Sequence, residues 1–143
     1  WDWPGMKFVR DAAPMPVMAD ESVHAAHDAI EGIRRDAMDM INIKLMKSGG
    51  ILAGSAIATV AGAANLKCMV GCMMETRLAL TAAAHLVCAR ESILYADLDA
   101  ALFLAEDPII GGMDLTDGIV TLPRAPGLGL DVDPAFVARL RAA

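Results

Sequence analysis

Three charged words close three strand-like runs in this chain. Asp20-Glu21 ends the run PMPVMA, Lys44 ends MINI, and Asp97-Leu98-Asp99 ends ILYA. A charge at the end of a strand buried on both faces has to be neutralised or used, because its dehydration is costly. Asp20 is a hard oxygen ligand of the kind that suits Mg²⁺. Lys44 sits between Ile43 and Leu45, where lost hydration is expected to lower its pKa and make it a base near neutral pH. Asp97 and Asp99, two residues apart, can face one side of a pleat. Like charges held that close call for a cation between them, and a substrate ammonium would serve. Together these residues describe a metal-and-lysine site that removes a proton next to a carboxylate.

Taken one at a time, each has a plainer reading. Asp20 could cap the helix that begins just beyond it, and Lys44 could snorkel to a rim or pair with Glu21. Asp97 and Asp99 could be a solvated loop pair. Glu75 could bond a neighbouring lysine or open the next helix. Lys47 reads as a surface lysine. His24, His27 and His85 fall on helical segments and read as surface or core side chains. The sequence carries no Gly-rich phosphate loop and no Ser/His/Asp arrangement.

The elements that must position these groups alternate. A short helix over 5–13 is stopped by Pro14 and Pro16. A strand over 17–19 reaches Asp20, and Ser22 is the expected N-cap of a helix over 23–35 that ends on two arginines. A strand over 40–43 is followed by the turn Ser48-Gly49-Gly50 and a helix over 51–64. A strand over 66–70 ends at Gly71, expected to permit a tight turn, and Thr76 is placed to cap a long helix to Arg90. The strand 93–96 reaches Asp97. One helix, three strand–helix units and a last strand predict a parallel sheet with right-handed crossovers. Beyond Asp99 the residues Pro, Gly and Asp become frequent. An isolated strand is expected over 118–122 and a closing helix over 133–143.

Bulk properties narrow the class. The 143 residues are 56% hydrophobic, 21% charged and 4% aromatic, which suits an α/β protein with a real core rather than a disordered chain. A formal charge of −6 and no basic stripe exclude nucleic acid as the expected partner. The longest apolar stretch, 51–64, falls short of the ~20 residues of a bilayer span, so no membrane partner is expected. The ten methionines read as adaptable core filler. Cys68, Cys72 and Cys88 lack zinc-type spacing, and read as reduced, mostly buried thiols of a cytoplasmic protein.

The local words resemble a known family. They are Ala19-Asp20-Glu21-Ser22, Ile41-Asn42-Ile43-Lys44-Leu45-Met46-Lys47 with Gly49-Gly50, Met69-Val70-Gly71-Cys72-Met73-Met74-Glu75-Thr76, Asp97-Leu98-Asp99 and Pro126-Gly127-Leu128-Gly129. Nearly the whole chain resembles the C-terminal part of the enolase superfamily, in its muconate-lactonising subgroup. Within that subgroup it is most similar to the dipeptide epimerases of the L-Ala-D/L-Glu type. The resemblance implies an α/β fold, the C-terminal portion (about half) of a (β/α) TIM-like barrel. Residues 1–104 would form that partial barrel, and 105–143 an extension packing on a capping domain that lies outside this sequence.

The resemblance also implies roles. Asp20 would be a Mg²⁺ ligand, and Lys44 one of two acid/base lysines on opposite faces of the substrate α-carbon. Cys72 and Met74 would line the pocket, Asp97 and Asp99 would bind the dipeptide α-ammonium group, and Glu21 and Glu75 would support them. Mg²⁺ would hold the substrate carboxylate and stabilise the enediolate formed on proton removal. The family's second lysine and its other two metal ligands have no counterpart here, so the isolated chain is expected neither to hold Mg²⁺ tightly nor to epimerise. It would need the missing N-terminal half as a partner or as one longer chain, and self-association stays open. An N-acylamino acid racemase, a muconate cycloisomerase-like enzyme, or a non-catalytic fragment are the alternative readings.

Overall fold

The computed structural model describes residues 1–141. Its centre is a four-stranded parallel sheet in the sequential order β1 (Met18–Ala19), β2 (Met40–Lys44), β3 (Lys67–Gly71), β4 (Ile93–Ala96). β1 meets β2 through Met18–Met40 and Ala19–Ile41. β2 and β3 run in unbroken register from Met40–Lys67 to Lys44–Gly71. The β3–β4 ladder slips between Cys68 and Met69. The outer edges of β1 and β4 carry no strand partner among the described residues.

The helices follow from caps, stops and apolar periodicity. In α1 (Trp3–Ala12) Asp2 accepts a hydrogen bond from the Gly5 N–H (2.9 Å), Pro4 occupies the first turn, and the chain turns extended at Ala13 ahead of Pro14. α2 is Ala26–Arg34, three residues later than expected. Ser22 is not its cap: its hydroxyl lies against the Met6 sulfur. The start is set by Asp28, which accepts from the N–H groups of His24 (3.0 Å) and Ala25 (2.9 Å). Residues before it are held back by the complete burial of Val23 and by its N–H bond to the Asp20 carbonyl.

β2 leads directly into α3, the single turn Leu45–Ser48, which Gly49 ends at φ +88, a left-handed conformation that a side chain would disfavour. α4 (Ile51–Ala63) and α5 (Arg77–Ala89) then pack on the sheet. Period two divides β2: Ile41 and Ile43 are fully buried on the helix side, joined by Ile57, Cys68, Val70 and Leu80. Met40, Asn42 and Lys44 take the other face. Fully burying side chains of this size stabilises by about 1.5–3 kcal/mol each.

After a 3₁₀ turn (Ala100–Phe103) the chain forms two small antiparallel pairs and a last helix. β5 (Ile109–Gly111) pairs with β8 (Leu130–Val132), and β6 (Asp114–Thr116) with β7 (Ile119–Thr121). The strand expected to stand alone is therefore half of a hairpin. Asp117 (φ 52) and Gly118 (φ 77) make the two-residue turn, the Asp-Gly signal for such a hairpin. This ribbon docks on α5. The Met113 N–H donates to Thr81 Oγ1 (2.9 Å), while Arg77 binds Asp107 (2.9 Å) and the carbonyls of Ile109 and Gly111. α6 (Pro134–Arg141) closes the described chain, and the last two residues of the expected tail helix lie outside it.

No helix among the described residues is long and apolar enough to cross a membrane. Cys68 is buried and Cys72 half-buried, but Cys88 is exposed near the end of α5, against the expectation of mostly buried thiols. Burial raises the Cys68 thiol to about 11. Cys72 lies just past β3.

Candidate functional site

Parallel order puts the carboxyl ends of all four strands on one rim, with Asp20, Lys44, Cys72 and Asp97 each at or just past its own strand. The Asp20 carboxylate is the hub. Its Oδ2 is 2.9 Å from Lys44 Nζ and its Oδ1 is 2.8 Å from Lys47 Nζ. Burial pushes the Asp20 pKa up, but the bonds from Lys47 and then Lys44 outweigh it and hold it below the ordinary aspartate value.

Lys44 also donates to Glu21 Oε1 (2.7 Å), and its side chain is only 12% exposed. Its pKa was expected to fall. Burial does pull it down, but the ion pairs with Glu21 and Asp20 win, and it stands above the ordinary lysine value. Lys47 reverses a second expectation. It is 3% exposed, not a surface residue. Its ammonium donates to Asp20 Oδ1, to the Asp20 carbonyl and to the Asn42 carbonyl (3.1 Å). The signal lay in the spacing: Lys44 ends a strand, one helical turn follows, and the third residue of that turn returns over the strand ends.

Asn42 was also missed. It is 5% exposed, and its Oδ1 is buried without a partner. Its amide leans up the inner face over β3. A Cβ built on Gly71 would lie 2.7 Å from that oxygen. Gly71 is therefore small to make room for Asn42, and it does not sit in the left-handed region that a tight glycine turn would use.

On the other side of the rim, Asp97 continues the ladder by donating its N–H to the Val70 carbonyl (2.9 Å). Leu98 is buried, and Asp99 opens the 3₁₀ turn. The Cys72 sulfur is 3.9 Å from Asp99 Oδ1. Burial raises the Cys72 pKa. Backbone N–H groups of Ala100 and Asp99 oppose the rise, and the charges of Asp97 and Asp99 add to it. Cys72, Asp97 and Asp99 thus share one neighbourhood, and neither acid has an ion-pair partner among the described residues. Met74 is largely exposed nearby in sequence. Glu75 is 4% exposed, and among the described residues it accepts only from the Met73 N–H (3.2 Å) and bonds no lysine. It lines an apolar groove with Leu45, Met46, Leu78 and Leu128.

The donor set bears on a metal. Asp20 fits as one hard oxygen ligand, since both its oxygens already face cationic nitrogens. No group of three His, Cys, Asp or Glu capable of holding an ion occurs among the described residues. Further ligands would have to come from outside them.

Comparison with known proteins places these words in a family. A model described as "Enolase C-terminal domain-like" matches residues 1–136. The chain is 43% identical over 129 residues to the L-Ala-D/L-Glu epimerase of Bacillus subtilis, covering 90% of this chain and 35% of that protein. A substrate-liganded structure of the L-Ala-D/L-Glu epimerase from Bacillus subtilis superposes with a TM-score of 0.87 at 43% identity, over 90% of this chain and 36% of that one. A dipeptide epimerase from Cytophaga hutchinsonii, solved with Mg and D-Ala-L-Val, gives 0.91 at 35% identity, over 96% and 38%. The chain spans about a third of the length of these relatives. Its four parallel βα strands are the C-terminal portion of a (β/α) barrel, and the chain belongs to the enolase C-terminal domain-like family.

Proposed function

We propose that this chain is the C-terminal part of a Mg²⁺-dependent dipeptide epimerase of the L-Ala-D/L-Glu type, an isomerase that inverts a carbon next to a carboxylate. The observation that carries the reading is the single rim, where Asp20 and Lys44 touch and Cys72 gathers Asp97 and Asp99. Residues 1–104 would supply the catalytic part and 105–143 an extension. The remaining barrel strands, the second lysine, the other metal ligands and a capping domain would come from a preceding segment. Free thiols at Cys68, Cys72 and Cys88 favour a reducing compartment such as the cytoplasm.

Asp20 would hold the ion as one ligand among several. Bound there, Mg²⁺ supplies Lewis-acid stabilisation of negative charge on the substrate carboxylate. Lys44 Nζ would move the α-proton on one face. The ion pairs with Glu21 and Asp20 raise the pKa of this lysine above its ordinary value despite burial. Release from Asp20 would remove one of the two ion pairs that oppose burial, the influence that lowers its pKa. Asp97 and Asp99, with no cation of their own, would receive the α-ammonium group, while Cys72 and Met74 line the space beside them. Glu21 would support Lys44, and Glu75 would shape the wall of the pocket. An acyl amino acid or a muconate has no such ammonium, so the unpaired acids favour the dipeptide.

The test is α-proton exchange from L-Ala-L-Glu in deuterated buffer, with Mg²⁺, on the full-length protein. Exchange accompanied by epimerisation supports the reading. Exchange confined to N-acyl amino acids would transfer it to the racemase alternative.

A further inference from the structure

Two lysines three residues apart touch the same carboxylate, yet their surroundings differ. An ammonium has three N–H donors. Lys47 spends all three on fixed acceptors at the ends of β1 and β2: Asp20 Oδ1, the Asp20 carbonyl and the Asn42 carbonyl. Two of these are backbone oxygens, and the side chain is 3% exposed, so neither solvent nor a small ligand reaches the nitrogen. Lys44 binds only side chains. One partner, Glu21, is 62% exposed, and the other is the free oxygen of Asp20. Exchanging Lys44 disturbs two side-chain contacts, whereas exchanging Lys47 removes a donor from two main-chain carbonyls, of which that of Asp20 keeps the Val23 N–H (3.1 Å).

We propose that Lys47 is a positioning residue that fixes Asp20 with Oδ1 bound and Oδ2 presented, so that Lys44, not Lys47, is the ammonium that a divalent cation displaces. The proposal rests on the functional reading above. It adds a division of labour: one lysine is structural wiring for the ligand, and the other is released for work at the α-carbon when the ion arrives. The local sequence builds this with one helical turn. Lys44 precedes the turn, Lys47 is its third residue, and Gly49 stops it before the amine can swing away.

Two measurements on the full-length protein test it. The first is NMR of lysine ammonium groups in the wild type. The Lys47 signal should be protected from solvent exchange with and without Mg²⁺, while Lys44 shifts on Mg²⁺ addition. A Lys47 signal that is unprotected, or that Mg²⁺ moves as much as it moves Lys44, overturns the proposal. The second is Mn²⁺ affinity by electron paramagnetic resonance. Lys47→Met should weaken binding at least tenfold, whereas Lys44→Met should leave it unchanged or tighter, having lost a competitor for Oδ2. Wild-type affinity in Lys47→Met, or equal weakening in both variants, overturns it. Should Lys47→Met fail to fold, the wild-type NMR measurement decides alone. Mn²⁺ binding that follows this pattern without α-proton exchange would defeat the epimerase reading and leave the role of Lys47 standing.

Discussion

Lys47 Nζ and Lys44 Nζ hold opposite oxygens of Asp20, at 2.8 and 2.9 Å. The carboxylate at the end of β1 is therefore oriented from two sides by one short segment after β2. This arrangement sets what substitutions at the rim should do.

Lys44→Ala in the full-length protein should reduce α-proton exchange about 10²–10⁴-fold from one stereochemical face, the usual contribution of a positioned acid/base. Exchange from the other face should survive better. Deuterium incorporation measured separately from each epimer checks this, and equal losses on both faces would remove Lys44 from the one-sided role.

Asp97→Asn and Asp99→Asn should each weaken use of a dipeptide. Charged hydrogen bonds contribute about 1.5–3 kcal/mol, or roughly 10–100-fold in kcat/KM. The same variants should leave an N-acylated substrate nearly unaffected. Steady-state kinetics with both substrates read the contrast, and parallel losses would argue against an ammonium between these acids.

Gly71→Ala should destabilise the fold by about 1–3 kcal/mol, because its methyl would lie 2.7 Å from Asn42 Oδ1. Replacing Asn42 by Ala as well should recover much of that loss. Urea unfolding of the single and double variants measures the coupling, and additive effects would show that the two side chains do not compete for one space.

Much of the fold was readable because its determinants are local. β-branched and apolar runs gave the four strands, Pro14 and Gly49 gave stops, and the alternation gave a parallel sheet. The spacing after Lys44 could place Lys47 over the strand ends, but not its burial, which depends on acceptors supplied by Asp20 and Asn42. The sign of the Lys44 shift was missed for the same reason. Burial is visible in its neighbours Ile43 and Leu45, but the ion pairs that overrule it come from residues 20 and 21. Ser22 looked like a cap because type alone was considered, whereas Asp28 caps from inside the helix. The acids after β4 were placed by sequence, but the role of Cys72 beside them depends on the bend into the 3₁₀ turn.

Stability should fall on acidification through Asp39. It accepts from the Val17 N–H (2.8 Å) and from Arg10 Nε (2.8 Å). The Val17 bond chiefly lowers its pKa, burial opposes this, and Arg10 adds to the lowering. A carboxylate with a depressed folded pKa contributes stability that is fully present above its unfolded value of about 3.9 and is lost as pH falls through the folded pKa. Asp39→Ala should cost about 1–2 kcal/mol near neutrality and flatten the acid limb of the stability profile. Chemical denaturation from pH 7 downward measures it. An unchanged acid limb would assign that limb to other carboxylates.

The turn Leu45–Ser48 works as a ruler. Each residue of a helix advances the side-chain direction by about 100°, so deleting or inserting a single residue there would point the second amine outward. Evolution and engineering alike should find this stretch closed to length changes, while the exposed Asp117-Gly118 bend absorbs them.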